Sequence, residues 1–422
     1  MSDRSKSLSP IYKSASWYLL EKVVRMAGAF LVGAWVARYL GPQQYGTFAY
    51  ATALIATLGF MASWGIESLV IRDLVQAPER QQQVVSTYFL VRLGGAILVP
   101  LAALLFLLWS HPGEHELMAV AVVLSVSTLL SSLDVVDCWL QARQRSGTTS
   151  LIRLVAFVVG TLAKCALVLA QAPLVWFAAT SVLECSMIAA AYWNLMQKDG
   201  VSLSLRNWDR TELKRLLLDG KIMVLSGLTV VIYSRLDVLA IGTLLSKEAL
   251  GPYAMAASMC AAWNMVGMSL SQAWAPQISA ALGRSYESYV REMRRFLVFS
   301  LMLSVGGSLV IGATSNLIFD LLLGTAYQAG GKILAILVWS SVPVFIGIAT
   351  SQIIVNERLY WVSLFRTSLG MVISVALVVP IAFQWGVTGI AVLVNASAWV
   401  ATLSILMSRI ARQSLVRVCK LN

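Results

Sequence analysis

The stretch YGTFAYATA (Tyr45–Ala53) returns 205 residues later as LGPYAMAAS (Leu250–Ser258). With that offset Gly46 meets Gly251, Phe48 meets Tyr253, Ala49 meets Ala254 and Ala51 meets Ala256. Four matches in nine alanine-rich positions say little by themselves. They gain weight from their place. Each copy opens the second apolar segment of its half, and the longest polar connection, 197–221, falls after six such segments. That is where a duplicated chain is joined. With an even number of spans per half, both copies enter from the same side, so the repeat is parallel. Transporters use this design, with two lobes around a cleft that opens to one side and then the other.

Composition points to lipid. Of 422 residues 58% are hydrophobic and 12% charged, against about 25% charged in a soluble domain, and mean hydropathy is +0.76. A span needs roughly 20 apolar residues. Twelve segments qualify: 15–38, 47–71, 84–109, 117–141, 149–170, 174–196, 222–245, 252–277, 296–319, 332–355, 359–384 and 386–407. The breaks carry Gly, Pro or charge, as in LGPQQYG, HPGEHE, QAP, LGTAYQAGG and QWG. The expected fold is an all-α polytopic membrane protein of about 12 transmembrane helices in two six-helix lobes. Residues 1–200 form the N-terminal lobe, 201–221 a cytoplasmic amphipathic linker, 222–408 the C-terminal lobe and 409–422 a basic cytoplasmic tail.

Lys and Arg favour the cytoplasmic side of membrane proteins. With the N-terminus inside, cytoplasmic segments hold 24 of the 32 basic residues. The outer side holds Arg38, Lys247 and Lys332, and five fall within spans: Lys22, Arg25, Arg92, Lys164 and Arg235. Both termini are therefore expected to be cytoplasmic. The net charge of +12 follows this topology. No recognition motif accompanies it, so nucleic acid is not expected as a partner. RNWDRTELKRLLLDGK (Arg206–Lys221) reads as an amphipathic helix on anionic lipid. No cleavable signal peptide is read, because Glu21, Lys22 and Arg25 interrupt the first apolar segment. Five scattered cysteines without a CxxC pair read as packing residues.

Ionisable residues inside spans each cost roughly 2.5–3.5 kcal/mol at a helix centre, so they face protein or water. Besides the five bases there are Glu21, Glu67, Asp134, Asp137, Glu184 and Asp237. Asp134 and Asp137 lie about 14 and 9 Å before Arg143, at 1.5 Å per residue. With Gln141 they share one helical face. Two readings stand: ion pairs with a neighbouring arginine such as Arg92, or the lining of a cavity. Glu21 and Arg25 are spaced for a local pair, leaving Lys22 over. Arg235 lies near the middle of its span, and Lys164, Glu184 and Asp237 are also deep. Glu184 and Asp237 are candidates for coupling to a proton. Glu67, close to Arg72 near a helix end, is expected to snorkel.

Covalent chemistry is not expected. No GxxxxGK[ST] is present, and both histidines, His111 and His115, fall in the loop HPGEHE, expected to be solvated. That rules out a Ser/His/Asp or Cys/His constellation elsewhere. No metal site and no cofactor are expected, apart from coupling to H+ or Na+.

Several stretches carry a family resemblance. VARYLGPQQYGTFAYATAL (Val36–Leu54) followed by WGIESLVIRDL (Trp64–Leu74) resembles the opening of the Wzx-type O-antigen and polysaccharide flippases. These belong to the multidrug/oligosaccharidyl-lipid/polysaccharide (MOP) exporter superfamily. DCWLQARQR (Asp137–Arg145), SRLDVLAIGTLLSKEALGPYAMA (Ser234–Ala256), LLLGTAYQAGGKILAILVW (Leu321–Trp339) and WGVTGIAVLVNASAW (Trp385–Trp399) resemble later family patterns, in order along the chain.

The resemblance implies a MATE-like V of two lobes around a cavity, in a multi-pass protein of the bacterial inner membrane. It implies translocation of an undecaprenyl-pyrophosphate-linked oligosaccharide from the cytoplasmic to the periplasmic leaflet. A polysaccharide polymerase and a chain-length regulator are implied as partners besides the bilayer. A pyrophosphate head needs cations in a low-dielectric cleft. Lys22, Arg25, Arg92, Lys164 and Arg235 are the substrate-binding candidates, and Glu184, Asp237, Asp134 and Asp137 the coupling or cavity acids. The related lipid II flippases carry an extra pair of spans, which this chain lacks. The intramembrane charges sum to −1. That keeps two alternatives open, a cation-coupled multidrug antiporter and a non-transporting scaffold of a polysaccharide assembly complex.

Overall fold

The computed structural model describes the backbone of residues 8–199, 208–357, 359–408 and 412–413. Side chains are described from residue 28 onward within these ranges, apart from Ala29, Pro78, Leu217, Val355 and Tyr360. All regular structure among the described residues is helical. The helices are α1 (Leu8–Leu58), α2 (Phe60–Ser63), α3 (Glu67–Gln76), α4 (Gln81–Ser110), α5 (His115–Leu130), α6 (Val135–Ala142) and α7 (Ser146–Leu169). Then come α8 (Leu174–Lys198), α9 (Arg210–Leu244), α10 (Lys247–Arg284), α11 (Tyr286–Leu322), α12 (Gln328–Leu337), α13 (Ser341–Asn356) and α14 (Tyr360–Leu403).

Nine stretches of described helix are long and apolar enough to cross a membrane. The first and last each hold two spans joined at a glycine with left-handed backbone, Gly41 (φ 75°) and Gly386 (φ 59°). The less apolar α10 supplies the twelfth. LGPQQYG and QWG therefore act as single-residue kinks between helices instead of open loops. Glycine takes the positive φ without a Cβ clash, and Pro42 restarts the helix with its φ already set. The basic stretch expected to stand apart as a linker is, from Arg210, the first turns of α9, which runs unbroken into the seventh span. Asp209 caps it: Oδ1 accepts from the Thr211 N–H at 2.8 Å and from the Thr211 hydroxyl, which holds this carboxyl below its usual range.

The described residues divide into two compact units. Unit one comprises those up to Tyr39 together with Tyr50–Val231; unit two comprises Leu40–Ala49 and those from Ile232 onward. In unit one, Ile66, Val70, Tyr88, Val135, Trp139, Tyr192 and Leu216 form a buried core. In unit two, Ile278, Tyr289, Met293, Phe296, Ala349 and Ile353 do the same. Leu101, Leu105 and Leu108 on α4 and Leu309, Val310 and Leu317 on α11 are exposed, as lipid-facing side chains are.

Within unit two, the segment after the Gly41 kink crosses the start of α10. A Cβ on Gly46 would stand 1.8 Å from the Lys247 carbonyl oxygen. A Cβ on Gly251 would stand 2.2 Å from the Pro42 carbonyl oxygen. Pro42 and Lys247 are themselves 205 apart, so both halves of the crossing obey the offset of the internal repeat.

Candidate functional site

Unit one holds its intramembrane charges in two groups, one around Arg92, Asp134, Asp137 and Arg153 and one at Lys164 and Glu184. Arg92 on α4 is buried, and its Nη1 donates to the Tyr88 hydroxyl at 3.2 Å and reaches Glu67 Oε1 at 3.4 Å. Its Nη2 donates to the Ser131 carbonyl at 2.9 Å and lies 3.5 Å from Asp134 Oδ2. Asp134 closes a turn of 3-10 helix, Ser131–Asp134, that separates α5 from α6. One turn on, Asp137 Oδ2 accepts from Arg153 Nη2 of α7 at 2.7 Å. The other oxygen, Asp137 Oδ1, is buried without a hydrogen-bond partner among the described residues. Asp134 and Arg153 line a cavity of about 230 Å³ together with Leu130, Ser131, Cys185 and Ile188.

Lys164 Nζ donates to Glu184 Oε1 at 2.9 Å, across α7 and α8. Gly160, one turn before Lys164, makes room for this carboxylate: a Cβ there would stand 2.2 Å from Glu184 Oε1. Arg92, Arg153 and Lys164 thus each have a carboxylate within 3.5 Å. In a low dielectric, pairing of this kind is what makes a buried cation tolerable.

Unit two is arranged differently. A cavity of about 370 Å³ is lined by Tyr233, Arg235 and Asp237 of α9, Ser258 and Asn264 of α10 and Ser397 of α14, among others. Tyr233 and Asp237 are i and i+4, so both face it from one side of the helix. Asp237 Oδ2 accepts from the Tyr253 hydroxyl at 2.5 Å, while Oδ1 is buried without a partner among the described residues. Asn264 Oδ1 is in the same state. The Tyr233 hydroxyl lies 3.2 Å from Ser397 Oγ. Arg235 is exposed and forms no ion pair with a described carboxylate.

The sequence candidates therefore separate. Arg92 with Asp134 and Glu67, Asp137 with Arg153, and Lys164 with Glu184 form ion pairs in unit one. Arg235 and Asp237 share the cavity of unit two. Lys22 and Arg25 fall on α1, but their side chains, and that of Glu21, lie outside the described residues. Two expectations are corrected. Glu67 does not simply snorkel, since it pairs with Arg92. His111 is not solvated: it is buried, edge-on to Tyr50 at 5.1 Å, with Nδ1 2.8 Å from Ser110 Oγ. Arg153 and Arg366 are not among the sequence candidates, because the count of basic residues by side takes both into the cytoplasmic total of 24. Each sits inside its helix, seven residues beyond the start of α7 and six beyond the start of α14.

A family model described as "Polysaccharide biosynthesis protein" matches residues 35–330. No curated protein sequence matches the chain. Among solved structures, the lipid II flippase MurJ in an inward closed conformation is similar at TM-score 0.74 and 12% identity, over 96% of this chain and 91% of that one. An inward-facing multidrug resistance MATE family transporter of the MOP superfamily is similar at TM-score 0.67 and 16% identity, over 96% and 98%. A MOP superfamily transporter from Pyrococcus furiosus, described as having a binding pocket of reverse polarity, is similar at TM-score 0.61 and 18% identity, over 97% of each chain. At these identities the structures share the fold.

Proposed function

Because the chain belongs to the polysaccharide biosynthesis protein family, we propose that it is a flippase for an undecaprenyl-pyrophosphate-linked oligosaccharide. The lipid-linked unit moves by alternating access from the cytoplasmic to the periplasmic leaflet of the inner membrane. Both termini are on the cytoplasmic side, where Lys and Arg concentrate. The sugar head crosses through the protein while the prenyl tail stays in lipid. No covalent bond changes, so the protein is not an enzyme. A polymerase and a chain-length regulator receive the product.

The observation that carries this reading is the partition of charge. The described intramembrane cations Arg92, Arg153 and Lys164 of unit one each have a carboxylate within 3.5 Å, whereas Arg235 beside the unit-two cavity has no described carboxylate at ion-pair distance. A cation in the membrane that no carboxylate engages directly is a partner for an anionic headgroup. Lys22 and Arg25 join it as candidates. That one fold neighbour is a lipid II flippase supports a lipid-linked substrate.

One observation favours the second reading, a cation-coupled antiporter: the buried, half-engaged carboxylate of Asp237 in the same cavity. In the flippase, Asp237 takes the coupling H+ or Na+ instead. Reconstituted protein offered both a labelled prenyl-pyrophosphate oligosaccharide and an organic cation separates the two. Leaflet transfer of the lipid supports the flippase; cation exchange without it supports the antiporter.

A further inference from the structure

Arg366 lies on α14, nearly two turns past its start, and is half-buried. Its Nη1 donates to the Gly347 carbonyl at 3.0 Å and to Thr350 Oγ1 at 3.4 Å, both on α13. A guanidinium carries five N–H donors in a fixed fork and does not give up its proton. Here one nitrogen is engaged, and only by neutral acceptors. No described carboxylate forms an ion pair with it.

This contrasts with unit one, where Arg92, Arg153 and Lys164 each meet an acid. Carbonyl and hydroxyl dipoles can aim the Arg366 fork, but they leave its full positive charge uncompensated. Such a charge among helices is costly unless something brings the counter-charge. The surroundings connect it to the unit-two cavity. Gly370, one turn after Arg366, packs on Tyr233: a Cβ there would stand 3.3 Å from the Tyr233 Cζ. Tyr233 in turn lines the cavity that holds Arg235 and Asp237.

We propose that Arg366 is an anion-binding residue of unit two that takes a phosphate-type oxyanion through its unused donors. Gly347 and Thr350 hold the guanidinium in place for it. Resting on the flippase reading, the oxyanion is the pyrophosphate of the lipid-linked substrate. The planar fork suits two oxygens of one phosphate, which a lysine cannot grip in the same way.

The test uses the full chain with three probes: inorganic pyrophosphate, undecaprenyl pyrophosphate and undecaprenol. Arg366→Gln keeps a donor for Gly347 but removes the charge; Arg366→Lys keeps the charge but loses the fork. The expected result is a loss of roughly tenfold or more in affinity for both pyrophosphates with Arg366→Gln. Arg366→Lys restores part of it, and undecaprenol binding is unchanged. In the unmodified chain, pyrophosphate should also slow phenylglyoxal labelling of Arg366, a measurement independent of how the variants fold. Unchanged pyrophosphate affinity in folded Arg366→Gln, or labelling indifferent to pyrophosphate, overturns the site while leaving the flippase reading intact if the prenyl lipid still binds. Pyrophosphate binding through Arg366 without binding of the prenyl lipid keeps the site and removes the flippase reading. Binding of neither pyrophosphate by the unmodified chain removes both.

Discussion

Gly46 and Gly251 close one helix crossing from opposite sides, each lying against the carbonyl four residues before the other: Lys247 for Gly46 and Pro42 for Gly251. A contact in which residue i touches j′ while i′ touches j has local two-fold symmetry. Here the two-fold relates the two copies of the internal repeat. Small residues permit such backbone approach where lipid supplies no hydrophobic drive for helices to associate.

Alanine at either glycine should force the helices apart, since its Cβ would meet a carbonyl oxygen at 1.8 or 2.2 Å. Each substitution should cost about 1–3 kcal/mol, the usual range for overpacking. The double variant should cost less than the sum, because both act on one contact. Thermal unfolding in detergent checks this; two additive losses, or none, would contradict the crossing.

Asp137 and Arg153 give a stability test in unit one. Arg153→Gln leaves a buried carboxylate whose second oxygen already lacks a partner. The loss should reach about 3 kcal/mol, moderated by the partial exposure of Arg153. Adding Asp137→Asn should recover most of it. If Arg153→Gln unfolds like the unmodified chain, the pair contributes nothing; if the double variant recovers nothing, the lone carboxylate is not the cause of the loss.

The legibility of this chain was uneven, for physical reasons. Apolar length marks a span wherever it occurs, so the helical class and the number of spans could be read directly. The repeat was visible because Gly46 and Gly251 cannot carry a side chain at their crossing. Gly41 and Gly386 looked like loops, since sequence shows a helix-breaking residue but not whether the chain resumes at once. Arg153 and Arg366 fall in the first turns of the spans 149–170 and 359–384, where a count of cations by side puts them with the cytoplasmic surplus and does not show that the helix already encloses them. An arginine such as Arg92 as partner of Asp134 is one of two readings that the sequence leaves open, and Asp134 combines them, lying 3.5 Å from Arg92 and lining a cavity. That Asp137 would choose Arg153 depended on side-chain direction across α6 and α7, which spacing does not encode.

Asp237 should set the coupling. Asp237→Asn keeps an acceptor for the Tyr253 hydroxyl and removes the charge from the cavity. Transport by this variant should lose its dependence on the proton or sodium gradient while the protein remains folded. A dependence equal to that of the unmodified chain would assign coupling to another residue.

The most direct test of the account is leaflet transfer of a labelled undecaprenyl-pyrophosphate oligosaccharide in proteoliposomes, comparing three chains. They are the unmodified protein, Arg235→Ala, and the double variant Lys164→Met with Glu184→Met, which removes an ion pair without leaving a lone charge. The account expects transfer by the unmodified chain, a loss of roughly tenfold or more in Arg235→Ala, and retained transfer in the double variant. Full transfer by Arg235→Ala, or its loss only in the double variant, would contradict the placement of the anion-handling charge in unit two.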